Sequence, residues 1–155
     1  MRAYSHVLLG VSGWLGFCKL GQIPPEILAT AAAAFGSLLP DIDHPQSFLG
    51  RRLWFIALPL AALIGHRGLT HSLMAASVGA WLLSVGLEAD RAMVQGLAFG
   101  YLSHLAGDWL TPAGVPLLWP WRRRFASPLH FRSGGAVEQV LNLFLLGWLL
   151  SGGWL

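Results

Sequence analysis

Most of the residues able to do metal or acid–base chemistry fall in four short stretches of this chain. Ser5-His6 is the first, and Pro40-Asp41-Ile42-Asp43-His44-Pro45 the second. His66-Arg67-Gly68-Leu69-Thr70-His71-Ser72 is the third, and His104 with Asp108 the fourth. His104 and Asp108 stand four apart, so a helix projects both from one face, a turn apart. Gly107 between them leaves room for a close neighbour. Asp41 and Asp43 sit on a Pro-flanked corner, where two carboxylates can address one centre. On one continuous helix His66 and His71 would diverge by about 140°. Gly68 is expected to break the segment and let both converge. Imidazole and carboxylate without thiolate suit a catalytic divalent metal, zinc first, with manganese, iron or magnesium as alternatives. His44 and Glu138 are further candidate ligands. Each stretch alone has a plainer reading: a core histidine, a helix-surface hydrogen bond, turn and capping chemistry, or a polar loop at a membrane surface. Their coincidence in one chain favours a metal site.

That coincidence weighs more because charge is scarce. The 155 residues include 10 Lys plus Arg and 7 Asp plus Glu, so charged residues are 11% of the total. Ordinary soluble domains carry about 25%. Hydrophobic residues make up 55%. Too few charges remain to coat a water-facing surface, which argues against an ordinary cytosolic enzyme, and there is too much apolar material for disorder. The single Cys18 rules out a disulfide framework within the chain and any Cys-based zinc module. The length fits one domain over residues 1–155.

The elements that must position these stretches are apolar blocks. They run over Val7 to Leu20, Ile27 to Leu39, Leu53 to Ile64, Leu73 to Leu87, Ala92 to Leu110 and Val137 to Leu155. A membrane-crossing helix needs about 20 such residues, and the first two blocks fall short of that. The first block lacks a basic leader and a cleavage site, so it does not read as a signal peptide. Pro24-Pro25-Glu26 reads as a helix start, and Pro40 as the stop of the second helix. Residues 112–135, rich in proline, read as a long loop able to cover a site. The expected fold is all-α: a polytopic membrane helical bundle of about five spanning helices plus one re-entrant or interfacial helix.

The re-entrant segment is Leu53 to Ile64, with Pro59 at its middle. If it does not cross, His6, Asp41, Asp43, His71, Asp108 and Glu138 all fall at one end of the bundle. Ionisable groups at membrane depth are costly and tend to mark function. The same end then carries Arg2, Arg51, Arg52, Arg67, Arg122, Arg123, Arg124 and Arg132, against Lys19 and Arg91 opposite. By the positive-inside rule the site end faces the cytoplasm. Those arginines also suit anionic lipid headgroups. Trp119-Pro120-Trp121 followed by three Arg reads as an interfacial anchor, and nucleic acid is not an expected partner.

Several strings resemble a known family. Leu39-Pro40-Asp41-Ile42-Asp43-His44-Pro45 with Ser47-Phe48-Leu49-Gly50, Gly65-His66-Arg67-Gly68-Leu69-Thr70-His71-Ser72, and Gly100-Tyr101-Leu102-Ser103-His104 running to Asp108 and Pro120 are similar to the bacterial LexA-regulated, membrane-bound metal-dependent hydrolases of the YdjM type. Their ligand order is distantly similar to zinc-dependent phospholipase C and P1-type nucleases. His6, Asp41, His66 and His104 with Asp108 match the early part of that order. The later His-x-x-x-Glu is missing, so the resemblance implies one or two metals, with His71 and Glu138 as substitutes. It implies a multi-pass protein of the bacterial inner membrane that hydrolyses phosphoesters, phospholipids among them. Asp43 is the expected general base or bridging ligand, and Arg67 a phosphate clamp. Two other readings stand beside it: a metal-ion or proton transporter, and a non-catalytic membrane adaptor with a structural metal.

Overall fold

A computed structural model describes residues 1–64, 68–121 and 123–154. The described residues form six α-helices and no strand. They are α1 (Ala3–Gly21), α2 (Ile27–Gly36), α3 (Trp54–Ile64), α4 (Leu73–Trp81), α5 (Arg91–Trp109) and α6 (Ala136–Leu150). A short 3-10 helix, Leu39–Asp43, forms a corner after α2, and another, Leu69–His71, leads into α4. Each helix falls on an apolar block of the sequence. Helix α4 is extended by a π-helical turn, Leu82–Gly86, and α5 starts at Arg91 because the Asp90 side chain caps the Met93 N–H.

No helix among the described residues is long and apolar enough to cross a membrane. The reason is partly length. At 1.5 Å per residue, the 10 residues of α2 and 11 of α3 cover about 15–17 Å of a hydrocarbon core about 30 Å thick. Helix α5 has 19 residues, but Arg91, Gln95, His104 and Asp108 dilute its apolarity. The expectation of about five spanning helices is therefore not met by helix length. What holds is the all-α architecture.

The centre of the fold is a close pairing of α2 with α5, with α1 laid across both. Small residues make it possible. A methyl on Gly96 would strike the Ala29 carbonyl, one on Gly100 the Ala33 carbonyl, and one on Gly36 the Leu97 backbone. Gly96 and Gly100 are one turn apart, as are Ala29 and Ala33, so the two backbones touch along successive turns. This is the small-xxx-small packing used by helices in membranes. Trp14, Leu15 and Cys18 of α1 close the cluster against Ala29 and Ala33.

The remaining elements are arranged around the end of this core. The 39–43 and 69–71 corners pack on each other although α3 lies between them in the chain. The two corners that flank α3 in the chain therefore lie at one end of the core. The loop after α5 folds back over that end. Val115 and Phe125 exchange two backbone hydrogen bonds of 2.9 Å. Ser127 N–H donates to the Trp109 carbonyl at 2.8 Å, and Leu73 N–H donates to the Leu117 carbonyl at 3.0 Å.

Candidate metal centre

The α2–α5 pairing continues one turn beyond Gly100 and Ala33, to His104 and Ser37. There the His104 Nδ1–H donates to the Ser37 carbonyl at 2.7 Å. A carbonyl only accepts, so Nδ1 carries the proton and Nε2 presents its lone pair to the interior. His104 Nε2 is fully buried and has no hydrogen-bond partner among the described residues. A histidine held this way, with one ring nitrogen on a backbone carbonyl and the other aimed inward, is the usual arrangement of a metal ligand.

His71 is prepared in the same manner by other means. The Thr70 hydroxyl donates to Asp43 Oδ2, so its oxygen is left to accept from His71 Nδ1, 3.2 Å away. Asp43 itself lies on that Nδ1 side, 3.8 Å off. The opposite nitrogen, Nε2, faces Asp41 Oδ1 at 3.4 Å and Asp108 Oδ2 at 3.8 Å. Tyr101 OH donates to the Thr70 carbonyl and ties this turn to α5.

His104 Nε2 meets the same two carboxylates, Asp41 Oδ1 at 3.8 Å and Asp108 Oδ2 at 3.9 Å. Two imidazole lone pairs and two carboxylate oxygens therefore converge. Ligands about 2.0–2.2 Å from a tetrahedral zinc lie about 3.3–3.6 Å from one another. The four His–carboxylate separations of 3.4–3.9 Å exceed that by at most a few tenths of an ångström. The residues present fit a divalent ion. Two groups of three share His104: Asp41, His71 and His104, and His6, His104 and Asp108.

His6 completes the second group from the first turn of α1. Its Nε2 lies 3.4 Å from Asp108 Oδ1, and its ring stacks on His104 with centroids 3.7 Å apart. Gly107 lies directly beneath, where a methyl would press on the His6 ring. The Met1 ammonium donates to the same Asp108 oxygen at 2.9 Å.

Of the residues expected from sequence, His6, Asp41, His71, His104 and Asp108 come together, and all but Asp41 are almost wholly buried. Asp43 is also buried, and its Oδ2 accepts from Thr70 and lies 3.8 Å from His71 Nδ1. His44 is half-buried at the end of the corner and joins neither group of three. Glu138 is fully buried and engaged elsewhere, on Arg2, Ser5 and Gly134. His66 and Arg67 lie outside the described residues. Thr70, Tyr101 and the Ser37 carbonyl were not expected. Thr70 stood in a quoted motif and could have been found there, whereas a backbone carbonyl leaves no mark in a sequence.

A family model described as YdjM inner membrane protein matches residues 1–154. The chain belongs to the YdjM inner membrane protein family. It is 42% identical over 159 residues to inner membrane protein YdjM of Escherichia coli strain K12, covering 96% of this chain and 81% of that one. The YdjM protein of Shigella flexneri matches equally well. Uncharacterized protein YvsG of Bacillus subtilis strain 168 is 31% identical over 141 residues, 91% of this chain and 87% of its own. YdjM membership supports a location in the inner membrane. No solved structure matches the chain.

Proposed function

We propose that this YdjM-family chain is a metal-dependent hydrolase of phosphoesters, acting on phospholipids at the inner membrane. The observation that carries the reading is the convergence of four lone-pair donors, His71 Nε2, His104 Nε2, Asp41 Oδ1 and Asp108 Oδ2, with both histidines oriented from behind. A divalent cation among these donors would be drawn to all four of them. A zinc-type ion held there would lower the pKa of water toward about 7 and polarise a phosphoryl oxygen.

The chain's own residues supply the rest. Asp41, His71, His104, Asp108 and His6 hold the ion. Asp43 and Thr70 fix the His71 ring. Arg67, between His66 and His71 in the sequence, is the proposed phosphate clamp through its planar fork. Beside the cluster, an apolar groove of about 470 Å³ runs between α4 and the α2–α5 pair, bordered by Leu39, Phe35, Ala76, Gly79, Leu83 and Tyr101. Leu39 and Tyr101 form its site end, which favours a substrate with a hydrocarbon chain over a small water-soluble ester.

The proposed setting is multi-pass, with the site toward the cytoplasm. Two features support it. The buried residues include His6, Asp43, His71, His104, Asp108 and Glu138, while Leu20, Ile27, Phe55, Leu63, Val85 and Phe144 face outward. Polar groups inside and apolar groups outside suit lipid as the solvent. Lys19 and Arg91 lie at the helix ends away from His6 and Asp108, which keeps the cationic bias of the sequence. Segments shorter than the bilayer are accommodated by local thinning or oligomerisation.

The test is purification in detergent, elemental analysis, and a screen of phosphodiester and phospholipid substrates with and without chelator. The expected result is chelator-sensitive turnover by the wild type and loss of metal in Asp108→Ala. Undiminished metal in that variant would remove the site assignment. Metal-dependent ion flux in vesicles without hydrolysis would make the protein a transporter.

A further inference from the structure

Glu138 is the largest buried charge that the proposed chemistry does not use. Its surroundings are unusual for a lone acid at a helix start. Helix α1 begins at Arg2 and helix α6 at Gly135, and neither N-cap side chain bonds the helix it opens. The first four N–H groups of any helix lack partners within it. One carboxylate serves both ends. Glu138 Oε1 accepts the Arg2 N–H at 2.9 Å and the Ser5 hydroxyl, and Oε2 accepts the Gly134 N–H at 2.7 Å. Toward α6 it reaches back from the third helical position to Gly134, one residue before the N-cap Gly135 that a capping-box glutamate would bond. Toward α1 it acts as a cap supplied by another helix. Asn142, one turn along α6, donates to the same Ser5 hydroxyl oxygen at 3.0 Å.

Ser5 immediately precedes His6. The bond that holds Ser5 therefore fixes the rotation of the first turn of α1 about its axis. That rotation decides whether the His6 ring lies over His104 and meets Asp108. We propose that Glu138 is not a ligand but a positioning residue, which holds His6 in the metal centre through Ser5. The inference rests on the metal reading of the same cluster. It differs from a ligand role in a way that can be measured, because a positioning residue has its effect only while the residue it positions is present.

The experiment is a double-mutant cycle on zinc affinity, using the full chain in detergent and a competing chromogenic chelator. The variants are Glu138→Gln, His6→Ala and the pair, with Ser5→Ala as a gentler cut of the same link. Gln keeps the shape of the side chain but turns one acceptor into a donor against an N–H. Supporting groups of this kind typically contribute about 10–100-fold in metal affinity. Expected are weakening of about tenfold in Glu138→Gln, a smaller loss in Ser5→Ala, and no further loss when Glu138→Gln is added to His6→Ala. The cobalt-substituted spectra of Glu138→Gln and His6→Ala should shift in the same direction. Gly147→Ala, on the same helix with nothing within 4 Å of the added methyl, should leave affinity unchanged. Additive losses in the double variant would overturn the proposal and make Glu138 an independent contributor. Wild-type affinity in both Glu138→Gln and Ser5→Ala would overturn it as well. A wild type that binds no zinc, cobalt or manganese would instead overturn the metal reading beneath it.

Discussion

Glycine and alanine do opposite things on the two sides of this molecule. Along α2 and α5, Gly36, Gly96 and Gly100 bring backbones into contact, and no side chain fits between them. Along α4, Gly79 meets nothing within 4 Å, and no residue of that helix is buried. The first use of small residues removes space and fixes a geometry. The second leaves space open beside that geometry. The fixed side delivers His104 to the Ser37 carbonyl with its Nε2 aimed inward, and the open side leaves an apolar groove ending at Leu39 and Tyr101. The proposed hydrolysis of lipids would need both, a rigid ligand set and room for a chain next to it. Composition alone does not separate the two uses, since the residue types are the same.

Substitutions at the two glycines give the sharpest contrast. Gly100→Val should wedge α2 from α5, because the obstacle is the Ala33 carbonyl and not a movable side chain. The expected loss is about 3 kcal/mol of stability, with the His104–Ser37 bond broken and metal released. Thermal unfolding in detergent and metal analysis report both. A Gly100→Val protein with wild-type stability and metal would show that the backbone contact does not hold the site.

A substitution at the seam between the sides should cost less. Thr70→Val keeps the shape but removes the hydroxyl between Asp43 and the His71 Nδ1. Losing a donor to a buried carboxylate should cost about 1–2 kcal/mol. Metal affinity should fall about tenfold while the helix content, read by circular dichroism, stays constant. Unchanged affinity would mean that His71 is oriented without Thr70.

The smallest stability effect belongs to the open side. Gly79→Phe should change stability by less than about 0.5 kcal/mol, since the new ring enters unfilled space. Its consequence should be selective: slower turnover of long-chain lipid phosphodiesters, with a short water-soluble ester hydrolysed at the wild-type rate. Equal slowing of both substrates would place the groove outside substrate binding.

The sequence carried much of this, for identifiable reasons. Six apolar blocks match six helices because Pro24-Pro25, Pro40 and the polar turn at 88–91 interrupt them physically. The clustering of His6, Asp41, His71, His104 and Asp108 was legible because so few ionisable residues exist in this chain. Helix length was harder to read. The block Ile27 to Leu39 is apolar throughout, yet its helix stops at Gly36 and the rest turns into the corner that carries Asp41. Asp43 and Glu138 share the chemistry of ligands, and different donors surround them. Thr70 donates to the first, while Arg2, Ser5 and Gly134 surround the second. The partners that orient His104 and His71, a backbone carbonyl and a threonine, have no spacing rule that would announce them.

His104 is the residue on which the whole account turns, because both groups of three pass through it. The decisive measurement is the metal content of purified wild type and His104→Ala, at matched detergent and ionic conditions, with folding checked by circular dichroism. The account predicts bound divalent metal in the wild type and essentially none in the folded variant. A folded His104→Ala protein that keeps the wild-type metal content would contradict it.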